Sequence, residues 1–185
     1  PAGRGHKLQF SPVKQYALEH SLPLLQPEKL KDEAFVEALR EWKADLQIVV
    51  AFRMLPEVVW NMPRLGTFNL HASLLPQYRG AAPINWAVIN GDTETGITTF
   101  FLRHEIDTGE VIQQVRIPIA DTDDVGIVHD KLMMLGGKLV TETVDAILND
   151  AVKPIPQEEM AVVGELRPAP KIFKDTCRID WNQPV

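Results

Sequence analysis

Residues 46–52, with the sequence LQIVVAF, form a nearly unbroken apolar run that decides how the fold is interpreted. Only Gln47 interrupts this run, and its centre is rich in β-branched residues. Such a run is typical of a strand that is buried on both faces, as in a parallel sheet. A second strand is predicted over residues 67–71, with the sequence TFNLH.

Helical periodicity flanks the predicted strands. Ser11, which precedes a proline, and Asp32 have the side chains expected at helix N-caps. Apolar residues recur in helical register over residues 125–148, and we expect Thr122 or Asp123 to cap this long helix. Strands that alternate with helices predict an α/β sheet with helices on its faces.

Two further β-rich runs cover residues 96–102 and 110–119. The loop between them contains Asp107, Thr108 and Gly109, a combination that favours a turn. The two runs therefore form either an antiparallel hairpin or a strand–loop–strand unit.

The composition is that of a protein with a packed core. The chain has 185 residues, of which 45% are hydrophobic and 24% are charged, so burial can offset the entropy lost on folding. No apolar run approaches the roughly 18–20 residues that a membrane-spanning helix needs. The single cysteine, Cys177, cannot form an intrachain disulfide, which predicts a cytoplasmic protein.

The charge distribution is uneven. The chain has 19 Lys and Arg against 25 Asp and Glu, which gives a net charge of −6. This charge argues against a protein that binds nucleic acid over its whole surface. Residues 1–18 nevertheless contain Arg4, Lys7 and Lys14 and no carboxylate. This segment is either a local contact for a polyanion or a solvated loop, and charge alone leaves both open.

Asn69 and His71 are the strongest candidates for chemistry. Strand side chains alternate between faces, so these two should point the same way while Leu70 enters the core on the other face. At the carboxyl end of a strand in an open α/β fold, they would lie in the ligand crevice. The alternative is a hydrogen-bonded pair that only caps the strand, and spacing alone does not choose between the two.

Asp107 is the carboxylate that we expect to lie beside Asn69 and His71. A carboxylate beside an imidazole favours the protonated ring and fixes its orientation. Asn69 and a protonated His71 would then be two donors directed at one oxygen, which is an oxyanion site. Asp-Thr-Gly is also a common turn sequence, so Asp107 alone does not identify a site.

Several common site motifs do not occur. The sequence has no GxGxxG, GxxxxGK[ST] or GxSxG pattern, so a dinucleotide site, a P-loop and a serine hydrolase are unsupported. The other histidines lack the spacing of metal ligands, and we expect no metal; they are His6, His20, His104 and His129.

Three stretches of the sequence resemble those of a known family. They are NLHASLLP at residues 69–76, YRGAAPI at residues 78–84 and Asp-Thr-Gly at residues 107–109. They resemble the formyltransferases that use 10-formyltetrahydrofolate. The resemblance runs along nearly the whole chain and implies a Rossmann-like, open, mostly parallel sheet with helices on both faces. Residues 1–5, PAGRG, and 11–14, SPVK, favour the branch of the family that acts on methionyl-initiator tRNA.

The resemblance implies a role for each candidate residue. Asn69 and His71 would polarise the formyl oxygen and hold the tetrahedral oxyanion. Asp107 would keep His71 charged and help to remove the proton of the attacking α-amine. The products would be formylmethionyl-tRNA, for translation initiation, and tetrahydrofolate, and no metal is required because the formyl group is already activated on N10.

The resemblance also implies residues that bind the two substrates. The folate-binding set begins after the apolar run, where backbone groups would contact the pterin, and continues along the loop that would line the pocket; it comprises Arg53, Met54, Leu55, Ser73, Leu74, Leu75 and Pro76. Arg4 and Lys7 would contact the tRNA.

The ends of the chain depart from the family pattern. We expect residues 1–178 to be a catalytic domain that lacks the family's first strand–helix–strand portion. Residues 179–185 would begin a linker or an absent C-terminal domain, so the domain is expected to be truncated at both ends. A cytoplasmic monomer is favoured.

Two other functions remain open. Asn85-Trp86 resembles the N-formyltransferases that act on amino-sugar nucleotides, which share the chemistry with another acceptor. A catalytically inactive fragment that binds folate or RNA belongs to a different functional class. The joint presence of Asn69, His71 and Asp107 argues against it, because a binding module needs no oxyanion site.

Overall fold

The fold was analysed in a computed structural model, which describes residues 10–50, 54–162, 164–178 and 181–182. The chain divides into two compact units, residues 1–43 and residues 44–185.

The first unit contains two helices, α1 (Pro12–Glu19) and α2 (Glu33–Glu41). Ser11 Oγ accepts a hydrogen bond from the backbone N–H of Lys14, and Asp32 Oδ1 accepts one from Phe35. Each side chain satisfies an N–H group that has no partner inside its helix. Both predicted N-caps are therefore confirmed.

The second unit contains the sheet and three helices. In chain order its elements are β1 (Gln47–Val50), α3 (Glu57–Trp60), β2 (Thr67–His71), α4 (Pro83–Ile89), β3 (Glu94–Phe101), β4 (Val111–Pro118) and α5 (Val125–Leu148). Two 3₁₀ turns follow, at Gln157–Glu159 and Asp175–Cys177.

The sheet is mixed. Its strand order is β1-β2-β3-β4; β1 and β2 are parallel, whereas β2–β3 and β3–β4 are antiparallel. The α/β class is confirmed, but the expected mostly parallel arrangement is wrong for the described strands. The loop of residues 102–110 joins β3 directly to β4, and a connection without a crossover element produces an antiparallel pair.

Strand β1 lies at one edge of the sheet and is not buried on both faces, as its apolar sequence had suggested. Ile48 and Val50 are 44% and 56% exposed. They share a sheet face with Phe68 and Leu70 of β2. Helix α5 covers this face, but it packs on β3 and β4, the two strands farthest from β1. It therefore leaves the side chains of β1 on this face exposed.

The alternation along β2 separates the core from the candidate site, as predicted. Leu70 contacts the core cluster formed with α5, whereas Asn69 and His71 point to the opposite face. The buried members of the cluster come from β3, β4 and α5; they are Ile97, Ile117, Val128, Leu132 and Leu139.

Within the second unit, α4 and α5 pack on the face of the sheet that carries Leu70, whereas the carbonyl of Trp60 in α3 accepts a hydrogen bond from Thr67 Oγ1, on the face that carries Asn69 and His71. α4 and α5 contact each other and β3, whereas Leu75 from the loop of residues 72–82 packs against Phe100 on the other face. A loop on this face leaves backbone groups close to Asn69 and His71.

The cap of α5 differs from the prediction by one residue. Asp124, rather than Thr122 or Asp123, accepts the hydrogen bond from the N–H of Ile127. Asp123 instead accepts from the N–H of Ala120 and pairs with Lys131. Consecutive acidic residues offer the same cap chemistry, so the sequence could not distinguish between them.

Gly136 and Gly137 on α5 provide a matched test of this packing. A Cβ at Gly136 would lie 2.9 Å from Leu70 Cδ2, whereas nothing lies within 4 Å of one at Gly137. We expect Gly136→Val to lower the free energy of unfolding by about 1–3 kcal/mol more than Gly137→Val, because only the first overpacks the core. Urea unfolding of both variants measures the difference. Equal losses of unfolding free energy would contradict the packing of α5 at Gly136 against Leu70.

Candidate active site

His71 and Asp107 come together in a largely buried position. Nδ1 of His71 lies 3.8 Å from Oδ2 of Asp107, and the two side chains are 7% and 12% exposed. This distance exceeds that of an N–H···O hydrogen bond, so the pair interacts as charges when the ring is protonated. The structure thus brings together two residues that are 36 positions apart in the sequence, as predicted.

The backbone of residues 78–80 holds both members of this pair. Nε2 of His71 lies 2.9 Å from the carbonyl oxygen of Tyr78, and the N–H of Gly80 donates to Asp107 Oδ2 at 2.9 Å. Because a carbonyl only accepts hydrogen bonds, Nε2 must be protonated. Nδ1 is then the ring nitrogen that remains for other chemistry.

Positive φ angles shape both segments. φ is 59° at Tyr78, 129° at Gly80 and 55° at Asp107. At Gly80 a side chain would also overlap the carbonyl of Ala169, so this position requires glycine for both conformation and space. Strained backbone of this kind is concentrated at functional sites, where the surrounding structure holds it in place.

Asn69 lies on the same face of β2 as His71. Its Oδ1 is buried and has no hydrogen-bond partner among the described residues. An unpaired buried acceptor costs about 1–3 kcal/mol, which folding alone does not recover. A donor on a bound molecule would satisfy this oxygen, so the structure favours the ligand-binding interpretation of Asn69 over that of a strand cap.

A distant stretch of chain, residues 165–170, fastens the loop that holds His71 and Asp107. Ala169 donates to the carbonyl of Arg79 and accepts from Ala81, and the carbonyl of Arg167 accepts from the N–H of Tyr78. Trp86 Nε1 donates to the carbonyl of Pro170 at 2.8 Å. We call residues 165–170 the C-terminal strap.

A buried amide also touches this region. Gln157, which is 2% exposed, donates from Nε2 to the carbonyls of Asp107 and Gly109, both at 2.8 Å. Its Oε1 accepts from Nε and Nη2 of Arg79 at 3.0 and 2.6 Å.

The hydroxyl of Tyr78 is the centre of a polar cluster. It donates to Asp92 Oδ2 at 2.6 Å and accepts from Asn90 and Arg167. Burial, together with the hydrogen bond to Asp92, raises the pKa of Tyr78. The hydrogen bonds of Arg167 to Asp92 and to Tyr78 raise the pKa of Arg167. Tyr78 is therefore a neutral donor at ordinary pH, and its side chain anchors the loop whose carbonyl receives His71.

The predicted folate-binding residues have different surroundings. Ser73 is fully buried, and its Oγ donates to the carbonyl of Gln77, so this side chain is already satisfied. Leu75 is buried against Phe100, and the Leu75–Pro76 peptide is cis. Leu74 lies against Gly96 of β3.

The remaining folate candidates follow β1 in the sequence. Met54 is 72% exposed, Leu55 is partly buried, and Arg53 lies outside the described residues. The folate assignment of the whole set stays a prediction. The predicted tRNA contacts, Arg4 and Lys7, also lie outside the described residues and stay predictions.

Two features are absent from the part of the chain that the structure describes. No helix there is long and apolar enough to cross a membrane. The same residues contain no group of three or more His, Cys, Asp and Glu side chains placed to hold a metal ion.

The sequence has a counterpart among known families. Residues 1–144 match the family described as formyl transferase, and the chain belongs to this family. The family resemblance predicted from the sequence is confirmed.

A curated relative is similar to this protein along the whole chain. The chain is 90% identical over all its 185 residues to the methionyl-tRNA formyltransferase of Bacteroides thetaiotaomicron, of which it covers 58%. It therefore spans somewhat more than half the length of such curated relatives.

Solved structures share the fold. HypX from Aquifex aeolicus, in complex with tetrahydrofolic acid, is 26% identical with a TM-score of 0.66, over 81% of this chain and 25% of HypX. A sugar N-formyltransferase from a Shewanella species is 20% identical with a TM-score of 0.73, over 95% of this chain and 66% of that chain. The second likeness shows the fold alone.

Sequence reasoning missed the groups that hold the candidate site. The carbonyl of Tyr78 and the N–H of Gly80 are backbone atoms, which no residue type reveals. Gln157 stands in a polar stretch, PQEE, where nothing marks one amide as buried. The glycine of YRGAAPI is a signal that could have pointed to these groups, since glycine permits close approach of backbone segments.

Tyr78→Phe should lower the free energy of unfolding by about 1 kcal/mol near pH 7, because one buried hydroxyl loses its hydrogen bonds. The raised pKa of Tyr78 means that this contribution is present below pH ~10, the unfolded value, and is lost as the pH rises through the folded pKa. The stability gap between wild type and variant should therefore shrink in alkali.

Denaturant titrations at about pH 7 and about pH 11 measure this gap. Tyr16→Phe is the control, because Tyr16 is 59% exposed and should give no gap at either pH. A gap that is equal at both pH values for Tyr78→Phe would contradict the burial of its hydroxyl.

Proposed function

We propose that this protein transfers a formyl group from 10-formyltetrahydrofolate to the α-amine of methionyl-initiator tRNA. The observation that carries the chemistry is the buried His71–Asp107 pair, 3.8 Å apart, with the unpaired Oδ1 of Asn69 on the same face of β2 as His71. Membership of the formyl transferase family supports the reaction type. The 90% identity to a methionyl-tRNA formyltransferase supports the acceptor.

Asn69 would bind both reacting groups. Its buried Oδ1 has no partner among the described residues, so it can accept a hydrogen bond from the attacking amine. Its Nδ2 would donate to the formyl oxygen. One amide would thus orient the nucleophile and stabilise the negative charge that develops on the oxygen.

His71 and Asp107 would supply charge and proton transfer. With Nε2 donating to Tyr78, a protonated His71 presents its Nδ1–H on the side of Asp107 and would donate from there to the oxyanion. Asp107, whose Oδ2 is also held by Gly80, would accept the proton that leaves the amine. That proton would then pass to N10 as the bond between the formyl carbon and N10 breaks and tetrahydrofolate leaves. A fixed, largely buried carboxylate and imidazolium need little reorganisation during the reaction.

The partners follow from the same proposal. They are initiator methionyl-tRNA and the folate co-substrate, in a cytoplasmic enzyme of translation initiation. Arg4 and Lys7 would contact tRNA phosphates. Residues 1–178 would serve as the catalytic domain of this enzyme.

An acceptor comparison tests the proposed function. 10-Formyltetrahydrofolate is supplied with either initiator methionyl-tRNA or an amino-sugar nucleotide, using the chain as given and the chain extended with the flanking segments of the Bacteroides thetaiotaomicron relative. We expect the extended protein to formylate methionyl-tRNA only. Formylation of the sugar would overturn the acceptor, and turnover of neither would favour a folate- or RNA-binding protein.

Substitutions at the three site residues test the mechanism. Asn69→Ala, His71→Ala and Asp107→Asn should each lower kcat by about 10²–10³-fold, because each removes a group that acts on the transition state. The exposed pair His129–Asp130 provides the controls, His129→Ala and Asp130→Asn, which should leave kcat unchanged. Near-normal turnover in the first set would contradict the assignment.

A further inference from the structure

We propose that Gln157 is a positioning residue, whose side-chain amide fixes the two backbone segments that hold His71 and Asp107 relative to each other. The inference rests on the proposed function, since it concerns the same site. Gln157 lies 50 positions from Asp107 in the sequence, but its amide contacts the backbone immediately after the Cα that carries the Asp107 carboxylate.

The donor side of the amide holds the Asp107 turn. Both protons of an amide NH₂ can be used, and Nε2 lies 2.8 Å from each of two carbonyls, those of Asp107 and Gly109. Asp107 has a φ of 55°, so its turn is held in a conformation that side chains seldom adopt unaided. Holding the two carbonyls fixes the direction in which the carboxylate of Asp107 points.

The acceptor side of the same amide holds the opposite segment. Oε1 accepts two hydrogen bonds from the guanidinium of Arg79. Arg79 stands between Tyr78, whose carbonyl receives His71, and Gly80, whose N–H binds Asp107. A shift of Arg79 would therefore move both contacts of the His71–Asp107 pair.

Only an amide meets both requirements at this position. A carboxylate could accept from Arg79 but has no proton for the carbonyls of Asp107 and Gly109, and an ammonium could donate to them but would repel Arg79. Burial to 2% exposure keeps water from replacing either set of hydrogen bonds.

Three variants separate positioning from general stability. Gln157→Met removes both halves of the contact, whereas Gln157→Glu keeps the acceptor for Arg79 and removes the donors. Gln113→Met is the control, because Gln113 is an amide on the opposite sheet face, bonded to Thr143 at 2.7 Å. Each variant is characterised by its Tm, by kcat and KM for methionyl-tRNA, and by hydrogen exchange at the Gly80 amide.

We expect both Gln157 variants to lower kcat by about 10–100-fold with KM changed less than about threefold, because reacting groups are displaced while substrate binding persists. Exchange of the Gly80 amide should be about tenfold faster or more in Gln157→Met. Gln113→Met should leave kcat and Gly80 exchange unchanged even where its Tm falls, and Gln157→Glu should lose kcat even where its Tm is retained.

The proposal is overturned if Gln157→Met retains either wild-type kcat or wild-type Gly80 exchange, or if Gln113→Met changes both to the same extent. Gly80 exchange is measured without substrate. Absence of turnover in the wild-type protein would therefore overturn the proposed function alone, while unchanged exchange would overturn the role of Gln157.

Discussion

The hydrogen bond from the Gly80 N–H to Asp107 is the contact on which the site depends. A buried carboxylate is costly unless it is hydrogen-bonded, and this backbone donor meets that need without introducing another charge. Two residues earlier, the carbonyl of Tyr78 orients the ring of His71. One short piece of backbone therefore sets the geometry of both side chains, and the loop's conformation is a condition for the chemistry.

Both the sheet and the C-terminal strap support the loop of residues 72–82. Thr98 of β3 fixes its beginning, by donating to the carbonyl of Ser73 and accepting from the N–H of Leu75. The C-terminal strap fixes its end through Ala169. On the other face of the sheet, α5 supplies the apolar packing that keeps β2 and β3 in place. The polar face can therefore hold an unpaired acceptor at Asn69, because the opposite face provides the stability.

Local chemistry was predictable from the sequence, and long-range packing was not. Caps such as Ser11 and Asp32 follow from one side chain and its own helix, and the alternation through Asn69, Leu70 and His71 follows from strand geometry. The burial of β1 depended on where α5 lies, which no local pattern encodes. Likewise the residue types of Asn69, His71 and Asp107 indicated a site, but the groups that hold them are backbone atoms and a distant Gln157.

The C-terminal strap has a consequence for where this domain ends. The family match stops at residue 144, within α5, and by then the chain already contains the whole sheet and every candidate catalytic side chain. Yet the partners of Tyr78, Arg79 and Ala81 lie at residues 157–169. A protein cut after α5 would keep the residues of the site but would lose Gln157 and the C-terminal strap, which hold the loop around it. The functional boundary of the domain therefore lies well beyond residue 144, where the family match ends.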